Sequence, residues 1–138
     1  MRAVTDEEFM AAFERGSLPG ASFHHADHVR MAFLYVSRYP AAEALQRFSA
    51  ALQRLAAANG KPQLYHETIT WAYLFLVRER IARAEAERPQ SWLEFAAVNP
   101  DLLDWKNNVL KKYYRQQTLS CELARRTFLM PDGCPTGE

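Results

Sequence analysis

Four histidines hold most of the chemical information in this chain of 138 residues. His24, His25 and His28 stand within one helical turn of each other, and His66 precedes Glu67. Imidazole is the commonest nitrogen ligand for zinc and non-haem iron and the usual acid–base group near neutral pH; a carboxylate complements it in either role. His24 and His28 are four residues apart and His25 and His28 three, so on a helix each pair shares a face with Cβ atoms about 5–6 Å apart. At about 100° per residue, all three fall on the same arc as Val29, Met31, Ala32, Tyr35 and Val36, opposite Arg30 and Arg38. His66 aligns in the same way with Thr70, Tyr73 and Val77, and Glu67 sits at the edge of that apolar face. One imidazole pair with His66 or Glu67 gives three ligands and an open position, the arrangement of catalytic zinc and non-haem iron. The predicted metal set is His24, His28, His66 and Glu67, with His25 at the rim and divalent iron or zinc as the cofactor.

A metal-free pocket is the second reading of the same residues. His66 and Glu67 would then be an acid–base pair tuned by burial, with Tyr73 as a further catalytic group. Tyr35, Tyr65, Thr70 and Trp71 are predicted to line the pocket, stacking on a planar ligand or supplying hydrogen bonds. The third reading is structural, because histidines at helix starts also cap the helix or hydrogen-bond a carbonyl. The pattern is not His-Glu-x-x-His, and the paired Glu-x-x-His motifs of di-iron bundles are absent. Asp27 falls on the other face and reads as a first-turn carboxylate favoured by the helix dipole. Cys121, after Ser120 at a predicted helix start, is a weak nucleophile candidate, and a redox contact with Cys134 is not expected in the cytoplasm.

Helices must position these groups. Thr5 with Glu8, and Ser91 with Glu94, have the spacing of capping boxes. Gly16 and Asn59-Gly60 supply helix exits, and Pro40 and Pro62 supply stops or first turns. Helices are predicted from near Phe23 to Tyr39, along Ala41, Leu45, Phe48, Leu52 and Leu55, and from about Gln63 to Glu87. A short helix should follow Ser91 and end at Asn99-Pro100. Two more are expected over Asp101 to Tyr114 and Ser120 to Phe128, before a frayed tail from Pro131. The segment through Val77 is apolar on nearly every side and reads as the central helix. No segment alternates with period two between turn residues. The predicted fold is all-α: one domain, residues 1–138, a compact bundle of six or seven helices around a buried central one.

Composition narrows the function. Seventeen basic residues against sixteen acidic ones, a formal charge of +1, argue against nucleic-acid binding as the main role, including at the mixed basic and aromatic segment Trp105 to Arg115. No phosphate-binding glycine loop is present. The acidic start, Thr5-Asp6-Glu7-Glu8, differs from a secretion signal, and no run has the length of a membrane span, so a cytoplasmic location is expected. The leading expectation is a small enzyme, oxidising or hydrolysing a small organic molecule at a metal. A metal- or ligand-sensing module without catalysis is the competing expectation. A chain this short has little wall to enclose a pocket, which a homodimer would supply.

The segments Phe23-His24-His25-Ala26-Asp27-His28-Val29-Arg30-Met31-Ala32 and Tyr65-His66-Glu67-Thr68-Ile69-Thr70-Trp71-Ala72-Tyr73 resemble those of a family of small bacterial proteins with no assigned activity. The resemblance extends to Ala124-Arg125-Arg126-Thr127-Phe128 and Pro131-Asp132. It implies neither a substrate nor catalytic residues.

Overall fold

The computed structural model describes residues 5–18 and 23–133. Among them are eight α-helices and no strand. They are α1 (Asp6–Arg15), α2 (His25–Arg38), α3 (Ala41–Ala58), α4 (Glu67–Ala84), α5 (Trp92–Val98), α6 (Pro100–Leu103), α7 (Gln116–Leu119) and α8 (Glu122–Arg126). Single 3-10 turns stand at Pro62–Leu64 and Val109–Lys112.

The caps act where the sequence places them. Thr5 Oγ1 accepts from the Glu8 N–H, and the Glu8 carboxylate accepts from the Thr5 N–H. Ser91 and Glu94 make the same reciprocal pair at α5. Gly16 closes α1 with φ of 70°, a left-handed geometry that suits a residue without Cβ. Helix α4 lies against α2, α3 and α8. It buries Thr68, Thr70, Ala72, Tyr73, Leu74, Leu76 and Val77, which makes it the central helix. Phe13, Tyr35 and Phe48 join α1, α2 and α3 in one aromatic knot, all fully buried.

Three predicted helices are shorter or divided. Helix α4 starts at Glu67 rather than Gln63, because Pro62–Leu64 forms a separate 3-10 turn. The helix predicted over Asp101 to Tyr114 stops at Leu103. There the Asp104 carboxylate takes the Asn107 N–H and the Asn108 side chain caps Leu110, two local bonds that compete with helix propagation. The helix predicted over Ser120 to Phe128 is shortened to α8, with Cys121 in extended backbone before it, and the single turn of α7 precedes it where no helix was predicted. Residues 131–133, predicted to fray, are tied down: Gly133 N–H donates to the Tyr113 carbonyl at 2.7 Å, and the Asp132 carboxylate accepts from Arg115 N–H and Thr118 Oγ1. Cys134 and the rest of the predicted tail lie outside the described residues.

Candidate functional site

The start of α2 divides the three clustered histidines. His24 is the N-cap, with φ of −95° and ψ of 174°, and its side chain is exposed. Its N–H donates to the Asp27 carboxylate at 3.0 Å, so Asp27 closes the first turn. His25 and His28 lie inside the helix and turn inward together, ring centroids 6.3 Å apart and planes 19° from parallel. His25 Nε2 lies 2.9 Å from the Leu102 carbonyl of α6, with the Trp105 ring 4.9 Å from its own. The Tyr73 ring of α4 meets His25 edge-on at 4.8 Å and His28 at 6.1 Å. Phe48 of α3 packs on His28 at 5.3 Å.

Electrostatically this cluster is neutral. Burial pushes the His28 imidazole down to about 3, and the neighbouring His25 adds to the shift. Burial lowers His25 too, against the opposing pull of the Leu102 carbonyl and the Asp104 charge. The Tyr73 phenol is raised, first by burial and then by Asp101 and Asp104. Tyr73 is fully buried, yet its hydroxyl has no hydrogen-bond partner among the described residues. A buried, unpaired hydroxyl carries a desolvation penalty of about 1–3 kcal/mol, so its persistence calls for a reason.

His66 is occupied otherwise. It is the N-cap of α4, and its Nδ1 accepts from the Ile69 N–H at 3.1 Å. Nε2 therefore carries the ring proton, and it donates to the Leu119 carbonyl at 2.7 Å. Both nitrogens are bound to backbone and no lone pair is left for a metal. Burial and the nearby Arg125 charge lower its proton affinity, which keeps the ring in this neutral form. Glu67, the next residue, accepts the Tyr65 hydroxyl at 2.5 Å and lines a separate open cleft.

The predicted metal set is therefore corrected. His24, His28, His66 and Glu67 do not converge, and no group of three or more His, Cys, Asp or Glu side chains among the described residues could hold a metal ion. The side chain of α4 that faces His28 is Tyr73, seven residues and so about 10 Å along the axis from His66. His66 and Glu67 are not brought together as a pair either: the imidazole is bound to backbone and the carboxylate to Tyr65.

The remaining predicted residues are scattered over the fold. Tyr35 is buried in the aromatic knot and donates its hydroxyl to the Glu14 carboxylate at 2.7 Å. Thr70 is buried in α4. Trp71 stacks on Phe128 at 5.3 Å, toward the C-terminal segment. Tyr65 is with Glu67 at the cleft. Of the predicted residues, His25, His28 and Tyr73 share one site, and Tyr65 and Glu67 another. Sequence reasoning missed Phe48, Trp105 and the Leu102 carbonyl as the other walls of the first. Trp105 stood out in a basic and aromatic segment, but nothing in the sequence carries it across to α2. Cys121 is a free thiol at the start of α8. No family model, curated protein or solved structure matches the chain.

Proposed function

We propose that the protein is a metal-free module that binds a small uncharged organic molecule at the His25, His28 and Tyr73 cluster. The observation that carries this reading is the Tyr73 hydroxyl, fully buried and unpaired against two neutral imidazoles. A ligand with one donor and one acceptor, such as an amide or an alcohol, would satisfy the phenol and a free imidazole nitrogen. Trp105, 49% exposed, packs on His25 with its plane tilted by 41° and forms the solvent-facing wall of the cluster. An imidazole held near 3 and a phenol held above its ordinary value are poor proton carriers at neutral pH, which favours recognition over acid–base catalysis. The donor set does not fit iron or zinc, so no chemistry is assigned to a metal.

The test is Tyr73→Phe. If the hydroxyl serves a ligand, its removal stabilises the free protein by about 1 kcal/mol, since a desolvated group is lost with no bond broken. The same variant loses binding in an NMR screen of small uncharged amides and alcohols that register on the wild type. Destabilisation by Tyr73→Phe, with no wild-type binding, would make the hydroxyl structural and end this reading.

A further inference from the structure

A large open cleft lies elsewhere, where α3, the Pro62–Leu64 turn, the start of α4 and α8 meet. Its volume is about 1160 Å³, somewhat above the usual range of small-molecule sites. Ala50 and Ala57 of α3 are two turns apart and keep its floor low, with Gln53 and Arg54 between them.

The cleft is chemically two-sided. Arg54, Arg125 and Arg126 line it together with the carboxylates of Glu67 and Glu122. Arg54 has no ion pair among the described residues. Arg126 reaches only to 3.7 Å from Glu122, an exposed pair of little energetic weight. Arg125 donates to the Gln63 carbonyl at 2.9 Å, which fixes its guanidinium at the cleft edge. Glu67 lines the same cleft, one carboxylate oxygen held by the Tyr65 hydroxyl at 2.5 Å. Tyr65 is pushed up to about 12 by burial first and then by the Glu67 bond, so it stays a donor and holds the carboxylate in place. Ser49 and Gln53 stand beside the same phenol. A carboxylate held by Tyr65 thus shares an open cleft with three guanidiniums, of which only Arg126 has an ion pair among the described residues, an exposed and long one.

Three guanidiniums against the two carboxylates Glu67 and Glu122 make a poor surface for nucleic acid, whose phosphates Glu67 would repel. They suit a ligand carrying both charges. We propose that this cleft binds a small zwitterion of the amino-carboxylic type, its carboxylate on Arg54 and Arg126 and its ammonium on Glu67. Guanidinium pairs with carboxylate by two parallel N–H bonds, and the ammonium donates to the Glu67 oxygen that Tyr65 leaves free. The site does not depend on the His25, His28 and Tyr73 cluster.

Three probes separate the charges: glycylglycine carries both, N-acetylglycine only the carboxylate, glycinamide only the ammonium. Binding is followed by chemical-shift changes in the folded full chain. Glycylglycine is expected to bind tightest. Arg54→Met with Arg126→Met should weaken glycylglycine and N-acetylglycine by about tenfold or more while leaving glycinamide unchanged. Glu67→Gln keeps an acceptor for Tyr65 and should weaken glycylglycine and glycinamide, by about tenfold, but not N-acetylglycine. Tyr73→Phe should change none of the three. Equal response to all probes, absence of binding, or indifference to these substitutions in variants with wild-type melting would overturn the proposal.

Discussion

At the scale of single residues, three neutral imidazoles make the fold sensitive to acid. His66 caps α4 only while Nδ1 is unprotonated, because that lone pair receives the Ile69 N–H. His28 and His25 have no carboxylate in hydrogen-bonding contact among the described residues to reward a positive charge, although Asp104 acts on His25 from a distance. All three have folded-state affinities for protons below the ordinary histidine value of 6.5. The unfolded chain therefore binds more protons below that value, and stability is fully present above it and falls as pH drops. For His28 the loss runs from about 6.5 to about 3. Urea unfolding between pH 7.5 and 4 should show this decline, on the order of a few kcal/mol in total, with partial exposure of the three rings reducing it. His28→Phe should flatten the slope. A pH-independent midpoint over this range would mean that the imidazoles are not held neutral by the fold. His66→Ala should cost about 1–2 kcal/mol at neutral pH by leaving the cap and the Leu119 carbonyl unpaired, whereas His66→Asn, an acceptor at the same position, should recover part of it.

At the scale of elements, a single threonine ties α8 and the segment after it to the central helix. Thr68 Oγ1 donates within reach of the Ala124 and Thr127 carbonyls, at 2.7 and 2.8 Å, and accepts the Leu129 N–H at 3.1 Å. Helix α8 has five residues and cannot hold itself in water, so its position depends on such contacts. Thr68→Val preserves shape but leaves these backbone groups unpaired in a buried place, an expected loss of about 2–3 kcal/mol. Hydrogen exchange should then quicken in residues 122–133 more than in α2 or α3, whose packing is separate. The segment after α8 has its own clamp at Gly133, where an added Cβ would come within 2.8 Å of the Tyr113 carbonyl. Gly133→Ala should release it without disturbing the α1–α3 aromatic knot.

At the scale of the whole molecule, the two candidate sites make opposite demands on solvent. The imidazole and phenol cluster is enclosed by α2, α3, α4 and Trp105, and its groups are neutral. The arginine and glutamate cleft is open, and its groups are charged. Because the metal donors are dispersed, zinc or ferrous iron at micromolar excess should not raise the melting temperature. A specific site saturated at 100 times its dissociation constant would stabilise by about 2.7 kcal/mol. A rise in melting temperature of several degrees that His25→Ala or His28→Ala removes would show a metal centre assembled differently from this structure. No helix among the described residues is long and apolar enough to cross a membrane.

The local signals in the sequence decided the helices. Thr5 with Glu8, Ser91 with Glu94, and Gly16 each act over four or five residues, and the apolar spacing from Ala41 to Leu55 repeats over one turn at a time, so neighbours along the chain suffice to define them. The same holds for the all-α architecture and for α4 as its centre, because a helix apolar on nearly every side has to be covered by others. The direction of the histidines could not be read in that way. A helical wheel assigns an angle only to residues with helical backbone, and His24 and His66 both stand one residue outside, in extended N-cap geometry. His24 accordingly reaches solvent and His66 turns to the backbone of α7, while His25 and His28, inside the helix, point where the wheel places them. Local sequence therefore set which residues are helical. Tertiary packing alone decided that Tyr73, Phe48 and Trp105 meet the imidazole pair and that Glu67 belongs to a different cleft, because those contacts join segments far apart in the chain.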